Sequence, residues 1–192
     1  MSLAMLWLFV RRLGLTLPLW IVAGWSAAEA ALFFLVADIP ISWIAVRHGP
    51  RAGLLAAVVA AIASVAGTLI VLVWAGRDAS GAALTMAALP GIDPALIADA
   101  ATRYHHGLQA VLVGSFSGIP FKLFALQAAR SHDLPFVLMA PFLRLPRFAA
   151  VALLAGGIGH AMAPRIAERS RLALLAAAWL AFYAFYFSVM PR

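Results

Sequence analysis

Uncharged apolar runs occupy 13–28, 52–76, 107–121, 134–143, 148–163 and 172–190, separated by single charges, prolines and short polar turns. The run 52–76, with a rise of about 1.5 Å per helical residue, outreaches a hydrocarbon core of about 30 Å and predicts a tilted transmembrane helix. The run 172–190 predicts another, whose Tyr183, Tyr186 and Phe187 would form an aromatic belt before Arg192. Two stretches follow a different pattern. The centre of 107–129 reads Ser115-Phe116-Ser117-Gly118-Ile119-Pro120-Phe121-Lys122, which predicts a broken helix. Pro120 removes a backbone donor, Gly118 loosens the chain, and Lys122 at bilayer centre would cost about 2.5–3.5 kcal/mol. Earlier, Glu29 and Asp38 interrupt apolar sequence ahead of Ile39-Pro40-Ile41-Ser42 and a polar exit at 47–51. Irregular, charged backbone at that depth survives only inside protein or beside a wet cavity.

The two Ile-Pro pairs lie 80 residues apart, and each is followed by Ala (Ala45, Ala125), a proline-containing polar exit and a long apolar helix. This is a faint internal repeat, and paired interrupted segments point to a transporter site built between inverted repeats. The fold expected is an all-α integral membrane protein with two re-entrant helical hairpins in an inverted repeat plus about three or four transmembrane helices. Residues 1–192 form one membrane domain, with a core at 27–160, a polar surface segment at 77–106 and a C-terminal transmembrane helix at 172–190. Pro40, Gly118 and Pro120 are the expected hairpin breaks. In the surface segment, Asp93 is placed to cap a short helix with Pro94 at its first position and Gly107 just past its end. Around Leu145-Pro146 two readings stand: a persisting helix that puts Arg144 and Arg147 on one side, or an interfacial turn gripping lipid phosphates.

Composition narrows the class. Hydrophobic residues make up 65% and charged residues 11%, against roughly a quarter charged in soluble domains, so no soluble surface can be built. The absence of cysteine excludes disulfides, Cys-ligated zinc and thiol catalysis. The 14 basic against 7 acidic residues are almost all Arg, scattered between the runs; this excludes a nucleic-acid face and fits anionic lipid or the positive-inside rule. Arg11, Arg12, Arg47, Arg51, Arg165, Arg169 and Arg171 fall on one side, and Arg77, Arg103, Arg130 and Arg192 on the other, whether the interrupted segments are hairpins or full spans. Hairpins are preferred because the breaks fall mid-segment. Arg11-Arg12, the run from Leu13 and Ala28-Glu29-Ala30 imitate a signal peptide, but the apolar stretch 3–10 ahead of the arginines is wrong for one.

Acidic residues within apolar sequence usually mark a substrate, ion or proton pathway, which makes Glu29 and Asp38 the candidate proton-coupling pair. Their blander roles are helix capping for Asp38 and pairing with an Arg for Glu29. Lys122 beside a broken helix suits a phosphate or carboxylate, and Arg144 and Arg147 are further candidates for binding an anionic head group; the alternative for Lys122 is snorkelling to the nearer interface. His105 and His106 are adjacent and lack an acidic residue at ligand spacing, so no metal site is expected. His160 reads as a packed polar residue. Ser115 and Ser117 lack a nucleophile signature, and no hydrolase, metalloprotease or phosphate-loop motif occurs. Neither an enzyme nor a cofactor is expected.

Taken in order, these motifs resemble the DedA superfamily, also known as the SNARE-associated or VTT-domain family, and most closely its short YqaA-like branch. The resemblance covers roughly 27–159. It rests on Glu29 with Asp38 nine residues later beside Pro40, Ala63-Ser64-Val65-Ala66-Gly67, His106-Gly107, the run from Phe116-Ser117-Gly118-Ile119-Pro120 to Phe124, and Arg144-x-x-Arg147-Phe148. It implies facing re-entrant hairpins and movement of lipids such as undecaprenyl phosphate or phospholipids, by a flippase- or scramblase-like protein of the bacterial inner membrane. Many family members carry an Arg just before the second break, where this chain has Ser115. The function expected is transport of an anionic lipid, with proton coupling through Glu29 or Asp38. Membrane lipids are the expected partners, with a second copy of the chain as a further candidate. The rival reading is a non-transporting membrane subunit or assembly factor whose charges brace irregular backbone.

Overall fold

The computed structural model describes Val10, Arg11 and residues 14–189; Arg12, most of the 3–10 stretch, Met190 and Arg192 lie outside the described residues. Within them the chain is all helical: α1 (Thr16–Ala31), α2 (Asp38–His48), α3 (Pro50–Arg77), α4 (Ala79–Ala87), α5 (Pro94–His105), α6 (Leu108–Phe116), α7 (Phe121–Arg130), α8 (Pro135–Met162) and α9 (Glu168–Val189). Three of these, α3, α8 and α9, are long and apolar enough to cross a membrane. The others are too short to do so alone. At about 1.5 Å per residue, α2 with 11 residues and α7 with 10 reach only about half of a 30 Å core.

Helix α3 is the axis, and it packs against α8, α1, α2 and α7. Its buried face is made of small residues at helical spacing: Ala52, Gly53, Ala56, Ala57, Ala60, Ala61, Ser64, Gly67 and Thr68. Lipid supplies no hydrophobic drive between helices, so association depends on backbones approaching closely enough to gain dispersion and polar contacts. A Cβ on Gly67 would lie 2.1 Å from the Ala27 carbonyl oxygen of α1, and one on Gly156 of α8 would lie 2.7 Å from Pro50 Cα. The Ser26 hydroxyl donates to the Ala60 carbonyl at 2.8 Å, tying α1 to α3.

The second break forms where the sequence predicts it. Gly118 takes φ 94°, the Ile119 N–H donates to Gly114 O at 3.2 Å, and Pro120 is the extended residue at which α7 starts. Pro40 is a correction. It is the third residue of α2, inside the first turn, where a missing N–H would have had no partner anyway. The first break lies upstream, at 32–37. Of the two readings at Leu145-Pro146, the persisting helix is the one observed. No turn forms there, because α8 runs unbroken for 28 residues through Pro141 and Pro146. Both 28-residue helices, α3 and α8, begin with proline, and each follows a short helix and a break. In the polar segment, Asp93 caps α5 by accepting from the Leu96 N–H at 2.6 Å, Pro94 is its first residue, and Gly107 follows its end with φ 90°. His160 is exposed rather than packed, whereas its neighbour Gly159 lies against Val46 of α2.

Candidate functional site

Five charged side chains from four helices meet in the interior: Glu29 on α1, Asp38 at the start of α2, Lys122 in the first turn of α7, and Arg144 and Arg147 on α8. Glu29, Asp38, Lys122 and Arg144 are all buried, with Lys122 only 2% exposed. They are brought together because α8 continues through Pro146, so Arg144 and Arg147, three apart, share a face. Arg144 donates to the Glu29 carboxylate. Arg147 donates to Asp38 Oδ2, from Nε at 3.1 Å and also from Nη2. Its Nη1 donates to the Ser115 carbonyl at 3.1 Å.

The two pairs differ in surroundings. The Arg144 guanidinium lies between rings, 5.2 Å from the centroid of Phe121 and 4.8 Å from that of Phe148. There cation–π attraction is strong because water is excluded. The Arg147 side chain is 28% exposed and borders open space. Among the described residues Lys122 has no carboxylate partner; its Nζ donates to the Phe33 carbonyl at 2.7 Å. The cluster therefore holds three cations and two anions. Asp38 Oδ1 and Arg144 Nη1 are buried and have no hydrogen-bond partner among the described residues.

Three cavities adjoin these charges. A space of about 10 Å³, the size of a single water, lies between Glu29, Ser115, Arg144 and Arg147. A chamber of about 110 Å³ is lined by Glu29, Lys122 and Arg147 together with Gly118 and Pro120 of the second break and Tyr183 and Tyr186 of α9. A groove of about 620 Å³ runs between α2, α8 and α9, with Asp38 and Arg147 at one end and Arg171 at the other. Arg147 borders all three.

The five charged residues predicted from the sequence thus lie in one cluster, and Glu29 and Lys122 face one chamber; Pro40 lines a separate apolar pocket. What the charges hold differs from expectation in one respect. Arg144 is committed to Glu29, while Lys122 and Arg147 border the chamber. The backbone at 32–37 also draws on residues that hydropathy alone does not single out. The Trp25 indole donates to Leu35 O at 3.0 Å, and the Val36 N–H donates to the Tyr183 hydroxyl at 3.0 Å. Tyr186 donates to Gly91 O at 3.3 Å. Tyr183 and Tyr186, expected in an aromatic belt, supply polar contacts to irregular backbone; the sign available in the sequence is that both carry a hydroxyl on a largely apolar helix. No family model, curated protein or solved structure matches this chain.

Proposed function

We propose that the protein is a membrane lipid transporter of the flippase or scramblase type that carries an anionic head group past the five-charge cluster. In this reading α1–α2 and α6–α7 are re-entrant hairpins related by an inverted repeat, in keeping with the resemblance to the DedA superfamily and with a bacterial inner membrane. The observation that carries the proposal is the chamber shared by Glu29, Lys122 and Arg147, a charged pocket inside a fold that is otherwise apolar. Buried ionisable residues are costly there and are usually retained for a pathway. The repeated order of short helix, break, short helix and 28-residue helix supports the inverted repeat. Lys122, bonded to a carbonyl rather than to a carboxylate among the described residues, can exchange that partner for a phosphate oxygen. Arg147 can follow by leaving Asp38, which protonation of Asp38 would ease, as protonation of Glu29 would ease release of Arg144.

The test is movement of a labelled polyprenyl phosphate and a labelled phospholipid in proteoliposomes, with and without a pH gradient, for wild type, Glu29→Gln and Lys122→Met. Loss in both folded variants is expected. Equal activity in all three, or none in wild type, refutes the reading.

A second reading is favoured by specific contacts. Lys122, Arg147 and Arg171 all donate to backbone carbonyls, as braces of irregular backbone in a non-transporting subunit would. Under that reading Lys122→Met loses thermal stability and no lipid moves in wild type, and a stoichiometric partner copurifies.

A further inference from the structure

The groove between α2, α8 and α9 has walls of Val151, Leu154 and Ile158 on α8 and Leu175, Ala178 and Phe182 on α9. Its volume of about 620 Å³ lies inside the range of roughly 300–1,000 Å³ that encloses a small ligand. Most of the polar groups on it are already engaged. The Trp179 indole donates to the Ser42 hydroxyl at 3.0 Å, and Arg171 Nη1 donates to Gly159 O at 2.8 Å and to Val46 O at 3.3 Å. Among the described residues, two groove atoms remain buried and unpartnered, Asp38 Oδ1 at the end where Arg147 stands and Arg171 Nε at the other. Past Arg147 lies the chamber with Lys122.

We infer that the α2–α8–α9 groove seats the single hydrocarbon tail of an anionic amphiphile whose head group sits in the Lys122 chamber. This rests on the transport reading and specifies how its ligand lies. Two features argue for this occupant. The cluster carries one more cation than carboxylates, so it complements a head group of negative charge, and Arg147 borders both spaces, so head and tail lie on either side of one side chain. The outer wall is also the least committed helix. Only 6% of the apolar stretch of α9 is buried, and its hold on α2 and α8 includes the Trp179 and Arg171 hydrogen bonds. A tail can therefore enter sideways from lipid, parting α9 from α8, without crossing water.

The probe is a single-chain alkyl phosphate with a photoreactive diazirine in its tail, compared with the uncharged alcohol of the same chain, in nanodiscs containing the full chain. Adducts are mapped on wild type, on Ala178→Trp and Ala155→Phe, which fill the groove from opposite walls, on Leu153→Trp as a lipid-facing control, and on Lys122→Met. Expected are adducts on the groove walls of α8 and α9, reduced about tenfold by either filling variant and unchanged by the control. Lys122→Met should abolish the preference for the phosphate over the alcohol. Adducts spread evenly over the lipid-facing residues of α3, α8 and α9, groove labelling unaffected by both filling variants, or cross-links joining two copies of the chain through the groove would each overturn the inference. Labelling of the groove without lipid movement in proteoliposomes would refute transport and leave the seat standing; transport with an unlabelled groove would do the reverse.

Discussion

Replacing Arg144 with Met leaves Glu29, 6% exposed, without the guanidinium that neutralises it. Breaking a buried pair from one side costs about 3–5 kcal/mol, whereas replacing both partners with well-packed neutral residues is often neutral or stabilising. Glu29→Gln with Arg144 intact strands the guanidinium, but Phe121 and Phe148 still flank it, so a smaller loss is expected, toward the lower end of that range. The double variant Glu29→Gln/Arg144→Met removes both charges and should recover to within about 1 kcal/mol of wild type. On the scale of about 2–4 °C per kcal/mol for a chain of this size, Arg144→Met alone lowers the melting point by roughly 6–20 °C. Thermal melts followed by size-exclusion recovery, arranged as a double-mutant cycle, give the coupling energy. The decisive comparison joins stability to function: the double variant should be folded yet inactive in lipid movement. A double variant that melts as low as Arg144→Met would show that the pair does not act as a unit. One that still moves lipid would show that the charges serve only the fold.

Other consequences are local. Gly67→Val forces a side chain into the Ala27 carbonyl and should cost about 1–3 kcal/mol in thermal melts. Gly76→Ala, on the same helix with nothing within 4 Å, should be neutral or gain up to about 1 kcal/mol; equal losses at both sites would contradict the close α1–α3 approach. Tyr183→Phe strips the Val36 N–H of its acceptor and should lower stability by about 1–3 kcal/mol, whereas Phe185→Leu on the exposed side of α9 should not. Asp78 accepts from the Gly81 N–H at 2.8 Å and from the Ser80 hydroxyl at 3.0 Å, which hold its carboxyl below the ordinary 3.8. The cap's contribution is therefore present above that value and fades only as pH falls through the lower folded one. A carboxyl-carbon NMR titration with its midpoint at or above 3.8 would contradict the cap.

The sequence made the helical class, the apolar axis at 52–76 and the break at Gly118-Pro120 legible, because each follows from local rules: uninterrupted hydropathy, a glycine at positive φ, and a proline that ends a hydrogen-bond ladder. The Asp93-Pro94 helix start was legible for the same reason. Pro40 misled because a proline looks the same whether it ends a helix or occupies its first turn; only the residues upstream decide, and 32–37 are apolar without punctuation. Pro146 left a persisting helix and a turn equally open. A proline inside a helix forfeits one hydrogen bond, and packing against α3 and α2 keeps α8 continuous across it. Local rules also singled out the five charged residues. Their pairing was not readable, because Glu29 and Arg144 are 115 residues apart and Asp38 and Arg147 are 109 apart. Nor was the role of α9, whose contacts to irregular backbone depend on hydroxyl and indole groups that hydropathy counts as apolar bulk.

The separation of those partners along the chain also sets an order of assembly. With synthesis at about 5–20 residues per second, Glu29 and Asp38 emerge roughly 5–20 s before the arginines that neutralise them. During that interval α1 and α2 carry two carboxylates and no partner, and an unpaired carboxylate does not rest in hydrocarbon at neutral pH without water beside it or a proton on it. With α1 and α2 in the bilayer as proposed, the first half of the chain waits, wet or protonated, until α8 arrives. On that reading the interior closes from its second half, and the arginines of α8 act as the fastener.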